Sequence, residues 1–211
     1  MTRQRNSRQL KGEGKKVYGI IVDGQTEKWY LQLLTQQENL KNIQIKPDLV
    51  TKAKLIDQYN LVIEAEKHYD KVIWIVDLDV ILKEEAEKKE GGNSPLQEFN
   101  SYYKKLNAMQ NVEVLINTPC LEYWYLLHIK DTSDFYTLYK EMLVELRNEP
   151  IEHYKKTEKY YKSGTNIYSR LKPNLSVAYE RAKALGQYDP ENPRTAKAEI
   201  YRLFEILNIE L

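Results

Sequence analysis

The sequence is poor in the residues that would let its chemistry be guessed from composition. It holds one cysteine, Cys120, and three histidines in 211 residues. No internal disulfide can form, and no Cys/His cluster offers a zinc site. A lone cysteine suits a reducing compartment. No apolar run approaches the roughly 18–20 residues that span a bilayer. The opening MTRQRNSRQLKGEGKK has charge without the apolar stretch of a signal peptide. A cytoplasmic protein with no membrane partner is therefore expected. The phosphate-loop pattern G-x-x-x-x-G-K-[ST] is missing too, which argues against an intrinsic ATPase of that type. Net charge is almost nil: 32 Lys/Arg against 31 Asp/Glu leave +1 at pH 7. The whole-chain balance selects no class of partner.

What is present is the composition of a globular chain, 42% hydrophobic and 30% charged, long enough for one sizeable core. Charge is unevenly spread. Residues 1–15 carry basic charge and no apolar periodicity, and read as a disordered basic tail. Order is expected from residue 16 to 211 as one domain, with an α/β core over 16–130 and a helical layer over 131–211. Within that layer, His153 to Lys183 holds eight Lys/Arg against Glu158 and Glu180, with five tyrosines interleaved.

Short apolar runs alternate with helical spacing. VYGIIV stops at Asp23-Gly24 as a buried strand would, and TEKWYLQLLTQQ follows as a helix that Thr26 can cap. IQIKPDLV reads as a second strand that Pro47 puts at an edge or shortens. Helical spacing over Lys54 to His68 precedes the clearest strand, KVIWIV, which ends in Asp77-Leu78-Asp79. Glu84 to Glu90 and Leu96 to Met109 read as helices, VEVLIN as a fourth strand, and CLEYWYLLHI as a helix opened by Pro119. From Thr132 onward only helical patterns appear, over 135–146, 174–185 and 195–207. This alternation predicts an α/β fold: a Rossmann-like, mostly parallel sheet of about four strands flanked by helices, with a helical C-terminal layer.

In an open parallel sheet the ligand crevice lies outside the carboxyl ends of the strands, and acids stand at those ends here. Asp23 follows the first strand, Asp77 and Asp79 end the third, and Glu122 comes just after the fourth. Asp77 and Asp79 are two apart, so on an extended chain both carboxylates face one side, as two ligands of one cation must. Glu27 lies one turn into the first helix. Oxygen ligands from several strand ends are what Mg²⁺ or Mn²⁺ takes. Cys120 reads as a small buried hydrophobe, since no positive partner stands beside it in sequence.

VDGQTEKWYLQLL, WIVDLDV and NTPCLEYWYLLH, in that order and spacing, resemble the RloB-like proteins. Their pattern runs as a CEGExTE-type turn, a D-x-D strand and an S/N-x-PCFELWLLLH segment. The match extends through Tyr154 and Lys156 as a Y-x-K element, AYERAKAL, and Asn192-Pro193-Arg194-Thr195, and so covers most of residues 17–207. The resemblance implies a Toprim-like, Mg²⁺-dependent nuclease in bacterial antiviral or restriction-associated defence, with an ATPase partner. The turn departs from the pattern, with Asp23 in place of Glu and Gln25 in place of the second acid.

On that basis Asp77 and Asp79 are expected to hold the metal with Asp23 completing its shell. Glu27 and Glu122 are expected as outer ligands or bases, and His128 as a base or an orienting group. Lys156 would neutralise charge on a phosphate. Tyr154, Tyr160, Tyr161 and Tyr168 would stack bases of a DNA or RNA strand whose phosphates meet Lys155, Lys159, Lys162 and Arg170. The rival expectation is a non-catalytic subunit that binds nucleic acid or an ATPase through a degenerate site.

Overall fold

A computed structural model describes residues 16–22, 24–46 and 54–211. The basic tail expected over residues 1–15, together with Asp23 and Pro47, lies outside the described residues. The apolar runs become β1 (Tyr18–Val22), β2 (Ile43–Lys46), β3 (Lys71–Asp77) and β4 (Val112–Thr118). They pair in parallel in the order β2-β1-β3-β4. β2 takes the edge position expected of it.

A fifth strand, β5 (Lys197–Ala198), runs antiparallel to the end of β4. This adds one short strand to the about four expected and corrects the wholly helical reading beyond Thr132. Two residues leave no periodic signal. Their place is fixed by tertiary bonds, among them Glu199 N to Ile116 O at 3.0 Å. The fold is α/β, a five-stranded, mostly parallel sheet flanked by helices, consistent with a Rossmann-like or Toprim-like fold.

Strand parity divides the core in two. Ile20, Val22, Ile73, Ile75 and Leu115 face one side, with α1 (Gln25–Gln37) and α5 (Leu121–Leu127). Ile21, Val72, Trp74, Val76, Val114 and Ile116 face the other, with α2 (Leu55–Glu66), α3 (Asp79–Glu87) and α4 (Pro95–Asn107). On the second face the buried Trp74 Nε1 donates to Gln58 Oε1 at 3.1 Å. Ser94 caps α4 by accepting from Gln97 N at 3.1 Å, with Pro95 in the first turn.

The C-terminal helices α6 (Tyr139–Leu146), α7 (Glu158–Lys162), α8 (Ile167–Leu171), α9 (Leu175–Ala184) and α10 (Tyr201–Leu207) share the apolar cluster of α1 and α5. The first and last are shorter than the sequence spacing predicts, because residues 135–138 and 195–198 run in extended or irregular paths. Two caps also differ. The N-cap of α1 is Gly24, while the Thr26 hydroxyl donates to Glu27 Oε1 at 3.0 Å. α5 starts at Leu121, two residues after Pro119. Among the described residues no helix is long and apolar enough to cross a membrane.

Close approach requires a glycine in β1. A Cβ on Gly19 would lie 2.8 Å from Tyr69 Cδ2 and 2.9 Å from Cγ. That ring is buried, and its hydroxyl donates to Gln44 Oε1 at 2.9 Å, tying it to β2. Gly19→Ala is expected to cost about 1–3 kcal/mol through overpacking, lowering Tm by roughly 2–4 °C for each kcal/mol. An unchanged Tm in calorimetry would show that the Tyr69 ring yields freely.

Candidate functional site

The strand order places the site. From β1 the chain crosses to β2 on one side, and from β3 it crosses to β4 on the other, so the crossovers diverge between β1 and β3. The turn into α1 and the end of β3 border that crevice. Parity then selects the residues: Asp77 follows Ile73 and Ile75 on the face that carries α1 and α5, so it meets Glu27 from α1 and Glu122 from α5.

Asp77 is held from two directions. Its Oδ1 accepts from Asn117 Nδ2 at 3.1 Å, and its Oδ2 accepts from Leu121 N at 3.0 Å. Asn117 is fully buried and faces Asp77 in the β3–β4 register. Asp77 thus supplies the cap that the Cys120 side chain does not give α5. Glu122 has no exposure at all. Its Oε1 accepts from the Tyr154 hydroxyl at 2.7 Å and pairs with Lys156 Nζ at 2.9 Å. Its Oε2 is buried without a hydrogen-bond partner, and so is Glu27 Oε2. One ligand atom each from Asp77, Cys120 and Glu122 lie within 4.8 Å of one another.

Asp79 lies beside this group by another route than the sequence implies. Leu78 leaves the extended conformation (φ −84°, ψ −10°) and buries its side chain on the opposite face, so Asp79 opens α3 and does not continue β3. The same-side geometry of an extended D-x-D does not apply. Asp79 Oδ1 accepts from Val80 N at 2.8 Å, its backbone N donates to Pro119 O at 3.0 Å, and its side chain borders a cleft of about 500 Å³. Leu82, Cys120, Tyr136, Tyr139 and Arg194 also line that cleft.

Crowded acids resist ionisation. Burial, and then the charges of Glu27, Asp79 and Glu122, push Asp77 well above the usual carboxylate range. Burial and Glu122 raise Glu27, and burial raises Asp79. Burial works against the Lys156 charge, but Glu122 beside it holds the ammonium above its usual value, and the same ammonium stands 4.4 Å over the Tyr139 ring. The Cys120 thiol is pushed well up by burial and then by Glu122 and Asp77.

Asp77, Asp79, Glu27, Glu122 and Lys156 are thereby brought together, whereas Asp23 lies outside the described residues. His128 is not among them. It closes the far end of α5, about 9 Å along the axis from Glu122, with Nδ1 2.9 Å from Trp124 O. Burial drives it down to about 4, so it is neutral, and Arg181 is its charged neighbour. The expected base-stacking surface is also corrected. Tyr154, Tyr161 and Tyr168 are buried, because their rings fill the space between α1, α5 and the C-terminal layer. Tyr160 is half-buried, and the Arg170 guanidinium lies 4.3 Å over its ring. Lys155 and Lys159 are exposed, and Lys162 pairs with Glu158 at 2.8 Å. Sequence reasoning passed over Asn117 and the proximity of Cys120. The register of β4 against β3 brings both in, and that register is not written locally.

Comparison with protein families matches residues 18–207 to the family described as RloB-like protein. The chain belongs to the RloB-like family. Comparisons with curated proteins and with solved structures find no match. The matched span contains every acid of the cluster. In this RloB-like chain the residues fit a divalent cation on their own chemistry, since two buried carboxylate oxygens lack any partner and the acids around Asp77 are short of positive charge.

The raised acids set a pH dependence. A carboxyl whose folded pKa exceeds its unfolded value contributes stability that is fully present below the unfolded value, near 3.9 for Asp, and lost as pH rises through the folded one. Asp77→Asn removes that loss. Asn117 Oδ1 is buried without a partner, so a flipped Asn117 amide can accept from the new side chain. In chelator, Asp77→Asn is expected to be the more stable protein at pH 7 by about 0.5–3 kcal/mol, the gap closing toward pH 4. Thermal melts across that range check it, and a gap independent of pH would refute the raised carboxyl.

Proposed function

We propose that this RloB-like protein is a divalent-cation-dependent phosphodiesterase acting on DNA or RNA. The observation that carries the reading is the convergence of Glu27, Asp77, Asp79 and Glu122 at the β1/β3 crevice, with Glu27 Oε2 and Glu122 Oε2 buried and unpaired. Asp77, Asp79 and Glu122 would hold Mg²⁺ or Mn²⁺. When bound, the ion supplies positive charge to a phosphoryl oxygen and lowers the pKa of a coordinated water. Glu27, whose carboxyl is raised by burial and then by Glu122, is the candidate to take and return a proton. Lys156 pairs with Glu122 in the same cluster and would offset phosphate charge. Arg194, exposed on the cleft wall, offers a further cation to a strand lying along it. A Toprim-like relationship, a role in anti-phage or restriction-associated defence and an ATPase partner rest on the resemblance of the motifs.

A second reading is a non-catalytic subunit that binds nucleic acid or an ATPase. The Lys156–Glu122 pair at 2.9 Å favours it, because the chain already supplies one cation to that carboxylate. Plasmid DNA and tRNA incubated with Mg²⁺ or Mn²⁺ separate the two. The wild type is expected to cleave at least one of them, and Asp77→Ala/Asp79→Ala to lose at least about 100-fold, in line with removal of a main electrostatic group. Equal cleavage by both proteins would sink the nuclease reading, as would none by the wild type with or without a partner ATPase.

A further inference from the structure

We propose that Cys120 is a further ligand of this centre, so that besides Mg²⁺ or Mn²⁺ the site takes a thiophilic divalent cation of the Zn²⁺ or Co²⁺ class and holds it more tightly. The inference rests on the reading that the acidic cluster holds a cation, and adds which kind. Cys120 stands at the N-cap of α5 in extended conformation (φ −157°, ψ 176°) but makes no cap bond, because Asp77 Oδ2 takes the Leu121 N–H. The thiol is therefore not committed to the helix.

Its Sγ lies within 4.8 Å of a carboxylate oxygen of Asp77 and of Glu122, which are as near to each other. Three atoms each about 2.0–2.3 Å from one ion and spread evenly around it are about 3.5–4.0 Å apart. An approach of about 1 Å therefore lets all three share an ion. The independent sign of a missing ligand is Glu122 Oε2, fully buried and without a partner in the same cluster. Cys120 also lines the cleft of about 500 Å³, which gives an ion a way in.

Cys120 belongs to the apolar cluster of α1 and α5, yet its Sγ also comes within 4.8 Å of carboxylate oxygens of Asp77 and Glu122. Mg²⁺ takes oxygen ligands and gains nothing from sulfur, whereas one thiolate with two carboxylates suits Zn²⁺ or Co²⁺. On coordination the S–H bond breaks, the metal–sulfur bond forms, and the proton leaves to solvent.

The test uses the full chain freed of metal by dialysis against a chelator. Co²⁺ and Cd²⁺ are titrated by absorption, and Zn²⁺ and Mg²⁺ by calorimetry, into wild type, Cys120→Ser, Cys120→Ala and Asp77→Asn. A thiolate-to-metal charge-transfer band is expected in the wild type and not in either Cys120 variant. Zn²⁺ affinity should fall in those variants by on the order of 10–100-fold or more, with Mg²⁺ affinity unchanged. The band is read on the wild type, so its absence counts whether or not a variant folds. Mg²⁺ and Co²⁺ binding that needs Asp77 but gives no band would overturn the cysteine ligand and leave the cation reading standing. No divalent binding that Asp77→Asn removes would overturn both.

Discussion

A carboxylate with no exposure to water must find its partners inside the protein, and the way Glu122 does so organises half of the molecule. Tyr154 and Lys156 both meet its Oε1, and both come from the loop between α6 and α7. Tyr154, its one proton given to Glu122, accepts from the Tyr161 hydroxyl at 2.6 Å, and the Tyr125 hydroxyl, one turn along from Glu122 itself, lies 3.4 Å from that of Tyr161. The ring of Tyr161 packs 5.5 Å from Trp29 of α1. One buried charge thus joins α5, the 154–156 segment, α7 and α1. The aromatic richness that suggests a nucleic-acid surface in the sequence is the lining of this network. Removing the carboxylate would strand a buried hydroxyl and an ammonium together, which is why such groups are costly to alter singly.

Around that centre the chain accepts local strain in its electrostatics. Gly24 lets Glu27 fold back over the turn: a Cβ at that position would lie 2.0 Å from Glu27 Oε2. Asp77 caps α5 in place of the residue at its N-cap. Glu27 is raised by burial and then by Glu122, and Asp77 stays raised by burial and its acidic neighbours although the Leu121 N–H bond lowers it. Places where a sequence breaks local rules are where function is expected.

Much of this was legible in the residues, and the part that was not has a common cause. β3 announces itself as seven residues with an apolar stretch on both faces, and its terminal Asp77 is found by position alone. Parity along β3 tells which face Asp77 occupies. It cannot tell that the chain turns helical at Leu78, because that choice depends on Leu78 burying against the second core cluster and on Pro119 O receiving the Asp79 N–H. β5 is invisible for the same reason. Tyrosines at 154, 161 and 168 look alike as exposed stacking platforms or buried packing groups, since the two roles share one composition and differ only in what covers them. His128 gives no local sign that the far end of its helix is dry.

The same sheet carries a control for the significance of the unpaired oxygens. Glu199 is also fully buried, next to β4, yet nothing about it is left open. Its Oε1 accepts from Tyr188 N at 2.5 Å, and its Oε2 accepts from Ile116 N at 3.4 Å and from Arg202 at 3.1 Å. Arg202 then pairs with Glu113 at 2.6 Å, and Glu113 with Lys71 at 2.8 Å. Where an acid serves structure alone, this fold surrounds it with donors until both oxygens are satisfied. Glu27 and Glu122 each keep an oxygen unpaired within the same protein, at the crevice where strand topology opens the sheet. Among the described residues Glu27 and Glu122 are the buried carboxylates that keep an oxygen without a partner, and those oxygens are what the cation proposed for this crevice would use.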